Sequence, residues 1–123
     1  MPQKLRRTQR LRNGGDFRRI LRRGRRLDGP LFLARVLEGD SAHARIGLAV
    51  GRKLGGAVRR NRARRLLREC FRLESAQLLG AVDVVLIAKP ELLACDLEQV
   101  RNEFGRRFRG RARAGRAGAD GGD

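Results

Sequence analysis

Apolar positions along this chain recur with two different spacings, and the places where the spacing changes divide it into elements. From Asn13 to Arg23, Phe17, Ile20 and Leu21 share one side of a short helix, which Gly24 stops. Pro30 introduces a strand from Leu31 to Leu37, and Gly39-Asp40-Ser41 reads as the turn that follows. Ala44 to Val50 alternates, with Ile46, Leu48 and Val50 on one face, the pattern of a half-buried strand. A long helix then starts near Gly56 and continues to about Leu79. Val82 to Ala88 is nearly continuous apolar sequence, as in a central strand buried on both faces, and Pro90 closes it. Asp96 and Gln99 form a capping pair for a last helix, whose buried stripe is Leu97, Val100, Phe104 and Phe108.

The predicted order is helix, strand, strand, helix, strand, helix: an α+β fold with helices packed on one small mixed sheet. The strands before and after the long helix could pair in parallel as a βαβ unit, whose crossover is right-handed in about 98% of cases. Residues 1–12 read as a basic arm with Leu5 and Leu11 as apolar anchors. Residues 13–109 form a single domain, and residues 110–123, dominated by Gly, Ala and Arg, read as a disordered tail. No internal repeat is visible.

The long helix carries the chemistry. Advancing 100° per residue from Ala63 puts Leu66, Leu67 and Cys70 with it on one side, with Phe71 and Leu73 at the margins. Asn61, Arg64, Arg65, Arg68 and Arg72 fall within about 100° of one another on the opposite side. One face docks on a core, and the other presents guanidinium groups to something anionic. Arg59, Arg60 and Arg62 crowd the first turns, where cations oppose the helix dipole. Gly56 is the nearest tolerable N-cap and has no side chain to satisfy the free N–H groups. A bound phosphate would relieve both problems.

Charge narrows the function. The net charge is +17, and it is clustered: residues 1–26 hold 11 basic and one acidic residue, 52–72 hold 9 and one, and 101–116 hold 7 and one. Three basic segments on an otherwise ordinary chain are the footprint of a nucleic-acid binder. The preference for Arg over Lys says less, because a G+C-rich genome produces it too. Cys70 and Cys95 lack a metal-ligand spacing and fit a reducing compartment. No apolar run approaches the roughly 20 residues that span a bilayer, and residues 1–12 lack the apolar core of a secretion signal, so a cytoplasmic location is expected. The only histidine, His43, sits in a turn with no orienting partner, and the 13 acidic residues show no paired spacing for two metals. An independent protein nuclease is therefore disfavoured. A DNA-binding module fits poorly too, since no second short helix stands in tight helix-turn-helix spacing.

The stretch Gly51-Arg52-Lys53-Leu54-Gly55-Gly56-Ala57-Val58-Arg59-Arg60-Asn61-Arg62-Ala63-Arg64-Arg65-Leu66-Leu67-Arg68-Glu69 resembles the signature of the bacterial ribonuclease P protein subunit, centred on Arg60-Asn61-Arg62. Leu11 to Gly24, with Asp16-Phe17, is similar to that family's first helix. Arg45 to Val50 resembles its second strand and Val84 to Pro90 its last, so the likeness covers about residues 5–108. The resemblance implies a left-handed βαβ crossover, as in the second domain of a small-subunit ribosomal protein. It also implies a subunit that joins a catalytic RNA and assists removal of the 5′ leader from precursor tRNA. Magnesium would be held by the RNA, which performs the chemistry, and no protein side chain would be catalytic. RNA contacts would fall on Arg52, Lys53, Arg59, Arg60, Asn61, Arg62, Arg64, Arg65 and Arg68. A cleft between the first helix and the sheet would hold the single-stranded leader on Phe17, Leu21 and Arg35.

Two of those cleft residues depart from the family, which commonly has aromatics where this chain has Leu21 and Arg35. Stacking is worth about 1–3 kcal/mol per base, so the departure shifts the expected contacts toward the RNA backbone, with weak sequence preference and steep salt dependence. Phe17 either faces the leader or packs beneath the sheet. The competing function is a generic RNA-binding or ribosome-associated protein, which would bind structured RNA without regard to a leader.

Overall fold

The computed structural model describes residues 10–11, 14–39, 44–75 and 82–116, with side chains through Phe108. His43, Asp40 and Ser41 lie outside the described residues. Helix α1 (Gly14–Arg23) is followed by strands β1 (Arg25–Asp28), β2 (Phe32–Glu38) and β3 (Arg45–Ala49). A 3-10 turn (Arg52–Leu54) leads into α2 (Ala57–Glu74), then come β4 (Val82–Ala88), a 3-10 segment (Pro90–Ala94) and α3 (Leu97–Arg116). The expected order holds, with one short strand added.

That addition, β1, was not expected from the pattern. Of Arg25-Arg26-Leu27-Asp28 only Leu27 is apolar, and it is the one buried residue of the strand. A half-buried edge strand needs no more than that, and so short an alternation leaves no readable period. α2 ends at Glu74 with Ser75 as its C-cap, so the expected continuation toward Leu79 falls on residues outside the described ones. α3 extends to Arg116, so the tail boundary expected at Gly110 falls inside the helix, where Ala and Arg, both strong helix formers, alternate with the glycines. Residues 117–123 lie outside the described ones.

The sheet runs β1-β2-β4-β3, with β3 and β4 parallel and the other pairs antiparallel. Register sets the two faces. Ala34 stands opposite Leu86, and Ile46 opposite Val84, so Phe32, Ala34, Ile46, Val84, Leu86 and Ala88 point to one side. Ala63, Leu67, Cys70 and Phe71 of α2 meet them there, with Val100, Phe104 and Phe108 of α3. Phe104 sits at the centre of that core, edge-on to Phe71 and stacked on Phe108. Within α2 the expected margin resolves unequally: Phe71 is fully buried, Leu73 is exposed, and Glu74 takes the inner position with its carboxylate 2.5 Å from Arg101. Burial, and next the neighbouring Glu74, push the Cys70 thiol up to about 12, so it remains a protonated packing group. The expected pair at the start of α3 forms a reciprocal capping box, Gln99 N–H to Asp96 Oδ1 and Asp96 N–H to Gln99 Oε1, each 2.9 Å.

α1 covers the opposite face, where Ile20 and Val85 are fully buried. Asp83 stands near the start of the apolar strand β4 on that face and is also fully buried. Arg45 explains it, donating Nε and Nη2 to the two carboxylate oxygens at 2.9 and 2.7 Å. Asp16 and Arg19 of α1 close the group: Arg19 lies 3.9 Å from Asp83 and 3.5 Å from Asp16, and Arg45 lies 3.7 Å from Asp16. Helix and sheet are thus joined by alternating charges. At the other edge Leu11 N–H donates to Ile46 O at 2.8 Å, and Arg10 pairs with Ile46 in parallel, so these two residues continue the sheet beyond β3.

Candidate nucleic-acid interface

α2 starts as its sequence demands. Gly56 is the N-cap, with extended backbone and no side-chain cap, and no acidic residue stands in the first turn. Before it, Gly55 adopts φ of 112°, a conformation that glycine alone takes without strain. The Arg59 side chain folds back against Gly55, and its Nε donates to Leu54 O at 2.7 Å. Arg52 and Lys53 are exposed on the turn leading in.

Asn61, Arg64, Arg65, Arg68 and Arg72 line one groove along α2, as the helical angles predict, and Glu69 joins them. So does Arg10, delivered by the pairing of the N-terminal segment with β3. The sequence places Arg10 in a basic arm, but no local pattern sets it beside α2. Glu69 accepts both Nε and Nη2 of Arg72, which neutralises that arginine. Arg64 donates to Asn61 Oδ1 at 2.8 Å, a neutral partner. Partial burial, and then the like charges of Arg10 and Arg64, hold Arg68 below the usual arginine range. Crowded guanidiniums without matching carboxylates are an arrangement that a polyanion stabilises.

The remaining members of the predicted set separate. Arg62 turns away from the groove and donates to Leu93 O at 3.0 Å and Cys95 O at 3.3 Å, capping the end of the 3-10 segment. Arg60 is half-buried, its Nε enclosed without a hydrogen-bond partner among the described residues. Of Arg60-Asn61-Arg62, only Asn61 therefore lines the groove.

On the opposite face, Phe17, Leu21 and Arg35 are all half-buried. A Cβ on Gly47 would stand 2.8 Å from the Phe17 ring, so that ring packs against the β3 backbone because residue 47 is glycine. Phe17 thus packs on the sheet while keeping part of its surface open. Arg35 Nη1 donates to Gly24 O at 3.2 Å, at the end of α1. Beside these, Leu33, Ile87 and Ala49 share the face in register and are only half covered.

Among the described residues, no group of three or more His, Cys, Asp or Glu side chains could hold a metal ion. Asp16, Asp83, Glu74 and Glu103 are each within 4 Å of arginine. Cys70 and Cys95 are free thiols, and no helix among the described residues is long and apolar enough to cross a membrane.

Comparison with known proteins matches this architecture. The family model for ribonuclease P aligns with residues 5–111. The ribonuclease P protein component of Desulfotalea psychrophila is 37% identical over 102 residues, covering 83% of this chain and 85% of the relative. That of Chloroflexus aurantiacus is 37% identical over 101 residues, covering 81% and 75%. Among solved structures, the RNase P protein from Thermotoga maritima superposes with a TM-score of 0.74 at 30% identity, covering 82% of this chain and 96% of that one. The Staphylococcus aureus RNase P protein gives 0.71 at 28% identity, covering 80% and 91%. Sequence, strand order and helix placement agree, and the chain belongs to the family of bacterial ribonuclease P protein components.

Proposed function

We propose that this subunit, in association with ribonuclease P RNA, engages precursor tRNA and assists hydrolysis of the phosphodiester that frees the 5′ leader. The observation that carries the reading is the groove on α2, where Arg10, Arg64, Arg65 and Arg68 converge and the one carboxylate lining it, Glu69, is bound to Arg72. Such a surface takes an RNA backbone, and it sits across the sheet from the cleft of Phe17, Leu21 and Arg35. Two surfaces on opposite faces allow the subunit to hold the catalytic RNA on one and a single-stranded leader on the other.

In this reading the RNA positions magnesium and performs the chemistry. The protein's arginines neutralise phosphate repulsion as the RNAs approach, which lowers the magnesium that assembly requires. Arg52, Lys53, Arg59 and Arg60 extend the contact around the start of α2. The complex is cytoplasmic, and DNA is not a partner.

The test is to mix the protein with a bacterial ribonuclease P RNA and measure binding and cleavage of precursor tRNA, with mature tRNA as control. Protein that lowers the magnesium requirement and favours precursor over mature tRNA supports the reading. Equal binding of both with unchanged cleavage would sink it and leave a generic RNA-binding role.

A further inference from the structure

The N-terminal segment touches both faces of the sheet within two residues. Arg10 pairs in parallel with Ile46, whose side chain enters the core beneath α2. Arg10 therefore falls on the α2 side, and it lines the groove with Arg64 and Arg68. Neighbours along an extended strand point to opposite faces. Leu11 accordingly turns to the α1 side, where its Cδ1 lies 3.2 Å from the position a Cβ on Gly47 would take. The Phe17 ring lies 2.8 Å from that same point, so Leu11 and Phe17 close together over Gly47. Between the two side chains, Leu11 N–H donates to Ile46 O at 2.8 Å.

The charge around this seat is unfavourable as it stands. After partial burial, Arg10 is the largest influence holding Arg68 below the usual arginine range, so the two cations repel across the groove. Glu69, the carboxylate lining it, is taken up by Arg72. An anion held between Arg10, Arg64 and Arg68 reverses the sign of that interaction and draws Arg10 onto the β3 edge. On the other side, Leu11 gains from seating because it covers apolar surface of the half-buried Phe17.

We infer that Arg10 and Leu11 are positioning residues that couple the α2 groove to Phe17: an RNA phosphate in the groove seats the segment along β3, and the seated Leu11 fixes the Phe17 ring against Gly47. The inference rests on the reading of that groove as an RNA surface and deepens it. One segment with two positions, on the β3 edge or off it, is biased from both faces. Such coupling is reciprocal, so whatever steadies Leu11 on Phe17 also strengthens RNA binding on α2.

Two measurements test this. In the free protein, hydrogen exchange of the Leu11 amide is followed as inorganic phosphate is added, with the amide of the fully buried Val85 as internal control. Phosphate should slow Leu11 exchange about tenfold relative to Val85, and Arg10→Gln should abolish that difference. An equal response of both amides, or one that survives Arg10→Gln, overturns the coupling. In the second, affinity for a bacterial ribonuclease P RNA is measured against salt, and the assembled holoenzyme is offered precursor and mature tRNA. Arg10→Gln should lower the log-affinity against log-salt slope by about 0.9, one phosphate. Leu11→Ala removes no charge and lies outside the groove lining, yet it should lower the same slope by a similar amount, because Arg10 loses its seat. A lower melting temperature alone would not change that slope. Arg10→Gln should in turn reduce the preference for precursor over mature tRNA about fivefold. The inference fails if Leu11→Ala leaves the slope intact, or if Arg10→Gln lowers the slope and leaves the preference where it was. If the unaltered protein shows no such preference, the leader reading has failed, while Leu11 exchange and the salt slope still decide the coupling.

Discussion

Two arginine-rich regions of this molecule differ in what stands across from the charge. Beneath α1, Arg45 meets the fully buried Asp83 through two hydrogen bonds, and Asp16 and Arg19 complete an alternating group. Along α2, Arg10, Arg64, Arg65 and Arg68 face one another, the asparagine Asn61, and a glutamate already bound to Arg72. The first region is internally neutral and acts as scaffold. The second has, among the described residues, no carboxylate beyond that glutamate to balance it. Arginine content alone does not separate a binding surface from a structural seam; the presence of a partner within reach does.

The comparison can be broken most severely at Asp83. Asp83→Ala leaves Asp16 to face both Arg45 and Arg19 under α1 and should cost about 3 kcal/mol of unfolding free energy, read as a lower denaturant midpoint. Replacing Arg45 and Asp83 together by valine should recover most of that loss, since a buried pair is worth little against apolar packing. A cost for Asp83→Ala within about 0.5 kcal/mol, the usual range for surface substitutions, would show that the seam does not hold α1.

On α2 the contrast sharpens within a single motif. Arg65→Gln and Arg68→Gln should each lower the salt slope of RNA binding by about 1 and leave the melting temperature where it is. Arg62→Gln should do the reverse, because Arg62 is bonded to Leu93 O and Cys95 O: a lower melting temperature with the slope unchanged. Equal slope losses at positions 62 and 65 would put Arg62 on the RNA and contradict the division seen here.

The smallest effect is expected at Gly56. Nothing lies within 4 Å of a Cβ there, and its backbone already has N-cap geometry. Gly56→Asp should stabilise the protein by about 0.5 kcal/mol through the missing cap and the helix dipole. On the proposed function the same carboxylate competes with an RNA phosphate at this end of α2, so RNA affinity should fall as stability rises. A variant that gains both would mean the start of α2 does not meet phosphate.

Much of this was readable from the chain because it depends on near neighbours. The angular spread of Asn61, Arg64, Arg65 and Arg68 follows from 3.6 residues per turn, and they line one groove. The Asp96–Gln99 box needs three residues of spacing, and the apolar run of β4 needs only burial on both sides. What was not readable depends on partners distant in sequence. Arg45 finds Asp83 38 positions away, and Arg62 finds Leu93 31 positions away. Arg10 reaches the α2 groove only because the N-terminal segment pairs with the edge of β3. β1 exists because β2 offers it an edge, with a single leucine to bury. Local periodicity and charge clustering determined that this chain has a basic amphipathic helix on a small α+β core. Which arginines are bonded inside the fold and which stay open along α2 was decided by tertiary pairing, because a guanidinium's surroundings depend on whether a carboxylate or carbonyl lies within hydrogen-bond reach.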